Sequence, residues 1–234
     1  MSRRRKVAIF DIDGTLFRSS LLIELVEALL EEKIFPARAR RHFARAEGLW
    51  RDRRAGYEDY IHGVIRAFDA HIRGVHRNTF LGAVRRVVRV HRRRTYRYTR
   101  NLVRLLRRRG YYLLAVSHSP KYVVEAFAKR LGFHKVYGRR LVCDARGRFT
   151  GAVMDPELIE DKEKIVRRAL AKEGLALSGS VGVGDTESDI PFLRLVSRPI
   201  CFNPNQMLYR AARRRGWEVV VERRDVVYRI ARAA

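Results

Sequence analysis

The stretch KVAIFDIDGT, residues 6–15, decides the fold. Residues 6–10 form a short, mostly apolar run, which predicts a buried strand, and Asp11 and Asp13 stand where that strand ends. In open α/β sheets the carboxyl ends of strands are where ligands are met. Period-2 alternation puts residues 11 and 13 on one side of the chain, and a bend at Gly14 would let both carboxylates face one cavity. The same pair would also suit a plain turn closed by an aspartate side chain.

Working outward, Leu21, Leu22, Leu25, Val26, Leu29 and Leu30 recur at helical spacing, with Glu24, Glu27, Glu31 and Glu32 between them. From about residue 32 to 95 the pattern stays mostly helical and lacks a parallel-strand run, so an inserted α-helical cap is expected there. Strand and helix patterns then alternate. Helices are predicted over 102–106, 120–131, Lys162–Glu173, 190–195 and 205–215. Strands are predicted over 111–116, 136–137, 180–183, 199–202 and 217–221, with a hairpin across 140–153. This alternation implies an α/β fold with a doubly wound, largely parallel, Rossmann-like sheet. The expected division is a core of residues 1–17 and 96–234 and a cap of residues 18–95.

Composition bounds the reading. A chain of 234 residues with 47% hydrophobic side chains can bury a sizeable core and is not a disordered basic tail. Lysine and arginine number 51 against 25 acids, a formal charge of +26, and 43 of the 51 are arginine. Such a field draws anions: phosphate esters, nucleic acid or acidic lipid headgroups. It also suits an arginine-coated surface with no partner at all. Cys143 and Cys201 offer neither a disulfide framework nor metal spacing. No stretch reaches the ~18 apolar residues of a membrane helix, and the basic start reads as a first strand rather than a signal peptide. The expected compartment is the cytoplasm, and the final ARAA has no expected role.

Three further segments carry chemistry. GVGDTESD at 182–189 follows a second strand, and Asp185 and Asp189, four apart, share a face and can hold a hard cation if a helix has begun. A simple helix cap explains the same letters. Ser117-His118-Ser119-Pro120 ends the middle strand, where a hydroxyl and helix-start amides can meet a phosphoryl oxygen, or where either serine can be an N-cap. Lys162 and Lys164 begin a helix, against the helix dipole, a misfit that facing phosphate and carboxylates would relieve. At the first motif, one aspartate can attack phosphorus and the other can protonate the leaving oxygen.

In this order the motifs resemble the haloacid dehalogenase superfamily, most closely its phosphoserine-phosphatase-like branch with a helical cap between the first two motifs. DIDGT at 11–15, VSHS at 116–119 and GDTESD at 184–189 carry the resemblance, with RFTG at 148–151 and the segment around Asn203 and Asn205. It implies Asp11 as nucleophile, Asp13 as general acid and base, and Ser117 and Lys162 on the phosphate, with Lys164 in reserve. It implies Mg2+ on Asp11, the carbonyl of Asp13 and Asp185, with Asp189 in support. The expected activity is a phosphatase that hydrolyses a small, anionic phosphate monoester through an aspartyl phosphate. A phosphotransferase or phosphomutase would use the same aspartate. A nucleic-acid-binding protein that keeps the fold would instead use segments such as HRRRTYRYTR at 91–100. One departure is Ser20, which stands where phosphoserine phosphatases carry an acid that meets the substrate ammonium.

Overall fold

The computed structural model describes residues 4–230; the beginning of the basic run at 3–7 and the ARAA tail at 231–234 lie outside them. The opening run becomes β1 (Arg5–Asp11), followed along the chain by β2 (Tyr112–Pro120), β3 (Lys135–Cys143) and β4 (Phe149–Met154). β5 (Leu175–Gly184), β6 (Arg198–Phe202), β7 (Glu218–Arg223) and β8 (Val226–Ile230) complete one sheet in the order β4-β3-β2-β1-β5-β6-β7-β8. All neighbours pair in parallel except the two outer pairs, β3 with β4 and β7 with β8. The sheet is therefore mixed but mostly parallel, and β1 sits centrally between β2 and β5.

Alternation along β1 sends Ala8 and Phe10 into one apolar layer and Val7 and Ile9 into the other. The first layer packs on α1 (Leu21–Glu31), α4 (Arg77–His91), α5 (Arg97–Arg108) and α6 (Lys121–Lys129). The second packs on α7 (Pro156–Glu160), α8 (Lys162–Glu173), α9 (Ile190–Leu193) and α10 (Gln206–Arg215). Burial on both faces explains why the central strands read as unbroken apolar runs.

Between β1 and β2 the chain inserts a helical cap containing α1, α2 (Ala44–Arg51), α3 (Tyr57–His71) and α4. Its interior is aromatic: Phe68 lies 6.1 Å from Phe35 and 6.3 Å from Phe80, ring centre to ring centre. Phe80 in turn meets Phe149 of β4 at 5.0 Å, tying the far end of the insertion to the sheet edge. At the near end Phe17 pairs with Thr95, flanked by Arg18 N–H to Arg94 O at 3.0 Å and Tyr96 N–H to Leu16 O at 3.2 Å. The chain leaves and re-enters the core at one point.

Several boundaries differ from the sequence expectation. β8 follows the strand expected to be last; it is an edge strand, VVYRI, whose Val226, Tyr228 and Ile230 remain exposed. β2 continues through Pro120, which a strand end tolerates because no N–H is needed there, and α6 begins one residue later. β3 runs straight into the predicted hairpin, and β5 starts at Leu175. Among the described residues no helix is long and apolar enough to cross a membrane.

Candidate active site

β1 and β5 end side by side and bring the two acidic segments together under the cap. Asp11, 4% exposed, closes β1. Lys162, the first residue of α8, reaches between Asp11 Oδ1 at 2.7 Å and Asp189 Oδ1 at 2.5 Å. This resolves the misfit of a lysine at a helix start: Asp161 caps α8 by accepting from Glu163 N and Lys164 N, and the Lys162 ammonium turns inward. Burial alone would lower the lysine pKa, but Asp11 and Asp189 outweigh it and keep the ammonium charged. Lys164 stays on the surface, 3.8 Å from Asp161.

Asp13 takes a different direction from Asp11. Its Oδ2 accepts from Ser117 Oγ at 2.5 Å and Ser119 Oγ at 2.9 Å, and its Oδ1 accepts from Leu21 N at 2.5 Å. Burial raises its pKa, and the hydrogen bonds from Ser117, Leu21 and Ser119 only partly oppose that. A carboxyl held by three donors and pushed upward by burial is suited to carry a proton. Neither serine caps α6, whose N-cap is Pro120 without a side-chain bond. Ser117 thus holds Asp13 and the amide of Ser119.

Asp185 and Asp189 do not share a helix face. Glu187–Asp189 is a single 3-10 turn, and Asp189 folds back so that its Oδ2 accepts from Asp185 N at 2.9 Å and Thr186 N at 3.1 Å. Gly184 makes this possible, since a Cβ there would lie 2.5 Å from the Asp189 carboxylate. Asp185 Oδ1 accepts from Thr15 Oγ1 at 2.8 Å. Thr15 and Ser119 stand in the quoted motifs, but their carboxylate partners became visible only on folding.

Gly14 bends the chain at φ +79°, and a Cβ would sit 2.1 Å from Asp185 Oδ2. Gly14→Ala is expected to cost about 1–2 kcal/mol from the left-handed backbone alone, with the clash in addition. Urea denaturation checks this; an undiminished midpoint would mean that the Asp185 carboxylate swings aside freely.

Asp11, Asp185 and Asp189 each offer a carboxylate oxygen within 4.8 Å of the others. Burial raises the pKa of Asp11 well above its ordinary range; Lys162 opposes this, and Asp189, Asp185 and Asp13 add to it. Burial also raises Asp185, with Asp189 the next cause. Asp11 Oδ2 is buried with no hydrogen-bond partner. Three carboxylates against one ammonium leave a buried negative excess, which is costly unless a cation offsets it. An all-oxygen donor set fits a hard divalent ion. The carboxylate of Asp13 is outside this cluster, committed to the serines.

Asp11 and Asp185 of this cluster line a cleft of about 1890 Å³, with Asp189 fully buried behind them. His118 and Ser20 also line it. Ser20, in place of an acid, is the buried N-cap of α1, and its side chain accepts from Leu22 N at 3.2 Å. The nearest acid along the chain, Glu24, is engaged by Arg94 at 2.6 Å and His91 at 3.2 Å.

Comparisons with known proteins agree with this geometry. A protein of Streptomyces azureus described as an inhibition of morphological differentiation protein is 35% identical over 114 residues, covering 49% of this chain and 41% of its own. A histidinol-phosphatase of Neisseria meningitidis is 30% identical over 111 residues, covering 46% of this chain and 50% of its own. The chain thus spans about half the length, or less, of these relatives. A solved protein of unknown function from Bordetella pertussis superposes with a TM-score of 0.71 at 25% identity, covering 93% of this chain and 98% of that one. The haloacid dehalogenase-like hydrolase profile matches residues 8–194. By that match the chain belongs to the haloacid dehalogenase-like hydrolases, and its fold is similar to that of solved phosphoserine phosphatases 21–22% identical to it, with a TM-score of 0.61.

Proposed function

We propose that the chain is a magnesium-dependent phosphomonoester hydrolase that passes the phosphoryl group of a small ester through Asp11. The observation that carries this reading is the asymmetry of the Asp11 carboxylate. Oδ1 is held by Lys162 and Oδ2 is buried and unpartnered, in a residue that lines the cleft. Asp13, two residues on, is held separately by hydroxyl groups.

In the first displacement Asp11 Oδ2 attacks phosphorus in line, the ester P–O bond breaks, and the proton of the Asp13 carboxyl goes to the departing alkoxide. In the second, Asp13 takes a proton from water as the water oxygen attacks phosphorus, the Asp11–phosphoryl bond breaks, and phosphate leaves. Lys162 keeps Asp11 oriented and places a positive charge beside the phosphoryl oxygens. Ser117, whose one hydroxyl proton goes to Asp13, holds that carboxyl in place and would reach the phosphate only by turning away from it. Asp11, Asp185 and the backbone carbonyl of Asp13 would hold magnesium, with Asp189 in support. When bound, the ion offsets the repulsion between the carboxylate and the phosphate dianion.

The name of the Neisseria relative supports phosphatase chemistry. A transferase or mutase reading keeps the same first step and differs in the acceptor, so release of free phosphate decides between them. We take residues 18–95 as the cap and residues 1–17 with 96–234 as the catalytic core, a division supported by the Phe17–Thr95 pairing. Two unpaired thiols suit the reducing cytoplasm, which we take as the compartment.

Turnover of a broad panel of phosphate monoesters is expected to need magnesium or a similar ion, and to stop in excess EDTA. Restored rate on adding back magnesium confirms the cofactor. Undiminished phosphate release in EDTA would remove the ion from the reading.

A further inference from the structure

More than half of the residues that line the cleft belong to the inserted cap, which in the reading above meets the alcohol half of the ester. One wall is aromatic, built from Trp50 near the end of α2 and Tyr57 and Tyr60 at the start of α3. Trp50 stacks on Tyr60 with ring centres 5.4 Å apart and planes inclined by 25°, and meets Tyr57 edge-on at 5.6 Å. Large rings are normally buried, yet Trp50 and Tyr57 are 39% and 40% exposed along the cleft. Tyr57 also reaches toward the reaction centre. Burial of its hydroxyl end, then the charges of Asp13 and Asp185, raise its pKa well above the ordinary tyrosine value, with Ser20 acting in the opposite direction.

The charge of the lining points the same way. Twelve carboxylates and seven lysine or arginine side chains line the cleft, the reverse of the 25 against 51 in the whole chain. Of the six lining arginines, five are already paired: Arg40 with Glu27, Arg51 with Glu47, Arg86 with Glu31, Arg94 with Glu24 and Arg139 with Asp69. The sixth, Arg18, lies over the Tyr96 ring at 5.4 Å. Glu58 and Asp59, next to Tyr57, have no ion-pair partner among the described residues.

Aromatic faces with free carboxylates beside them recognise a cation, the rings through their quadrupole and the acids through charge. We propose that Trp50, Tyr57 and Tyr60, with Glu58 and Asp59, receive the alcohol half of the ester and that this half carries a positive charge. The assignment rests on the phosphatase reading above. It also separates the cleft from the arginine-rich exterior: the net charge of the chain attracts anions in general, while these walls select the group attached to the phosphate.

The test compares kcat/KM for phosphocholine with that for 3,3-dimethylbutyl phosphate, which has the same shape without the charge, in wild type and Trp50→Leu. Wild type is expected to prefer the cationic ester by about tenfold or more, and the preference is expected to fall toward unity in Trp50→Leu. Equal turnover of the two esters, or a preference that survives Trp50→Leu, overturns the subsite and leaves the phosphatase reading standing. If no ester in the panel is hydrolysed by folded protein, the phosphatase reading falls instead, and binding then judges the subsite. Choline and 3,3-dimethylbutanol are titrated against Trp50 emission in a Trp217→Phe background. Saturation by choline at a concentration at least about tenfold lower supports the cationic wall, and equal response to both overturns it.

Discussion

Asp11→Asn is expected to lower turnover by about four orders of magnitude or more, with no phosphoenzyme formed. An amide is no nucleophile toward phosphorus at neutral pH, and the oxygen lost is Oδ2, buried without a hydrogen-bond partner in a residue that lines the cleft. Stability should move the other way. Burial, only partly opposed by Lys162, raises the pKa of Asp11 above its unfolded value. The folded protein therefore holds that proton to higher pH than the unfolded chain does. Its charged form is a liability that grows as pH rises from the ordinary aspartate range through the raised folded value. At neutral pH and without metal, Asp11→Asn should melt no lower than wild type, with Lys162 still paired to Asp189. Rapid quench with a labelled ester, peptide mapping and thermal melts examine both halves. A covalent label on any other residue would defeat the nucleophile assignment.

Asp13→Asn should slow the reaction by about 10²–10⁴-fold without unfolding the protein. The asparagine keeps one oxygen to accept from the Leu21 amide, and its NH2 can donate to the Ser117 and Ser119 hydroxyls where the carboxylate accepted from them, so the side chain stays anchored with two bonds reversed. What disappears is a proton donor in the first displacement and a base in the second. The two losses separate with leaving group. An ester of an acidic alcohol such as p-nitrophenol needs little protonation, so its first step should be nearly spared while dephosphorylation stays slow. Phosphoenzyme should then accumulate in Asp13→Asn and be far less abundant in wild type. Equal slowing for acidic and ordinary alcohols, with no accumulation, would take Asp13 out of proton transfer.

The parts of this site that could be read from the sequence are local. Asp11, Asp13 and Gly14 lie within four consecutive residues at a strand end, where alternation and a bend dictate direction. Lys162 could be noticed only as a helix residue at odds with its dipole; its partners are 151 and 27 positions away, and only the β1–β5 pairing brings them together. The 3-10 turn at Asp189 was hidden because four-residue spacing fits a helix equally well, and the early start of α9 at Ile190 gives no signal to exclude it. β8 escaped although VVYRI is made of strand formers, because the two-residue turn before it, Arg224-Asp225, carries no glycine signal for a hairpin. Composition reports a sum of charges and not their placement, so the acidic lining inside a strongly basic chain appeared only with the cap in position.

The meeting of Phe17 and Thr95 has a consequence for how such a chain can change. To the core, everything between them is one loop whose ends already lie a strand's width apart. Loop-closure entropy grows only with the logarithm of length, about 0.6 kcal/mol for each doubling. Helices can therefore be lengthened, exchanged or reshaped inside that loop at little expense to the sheet, provided the apolar face toward the core is kept. The carboxylates below are fixed by β1 and β5, so the groups that read the alcohol can diversify while those that break the phosphate ester stay where they are.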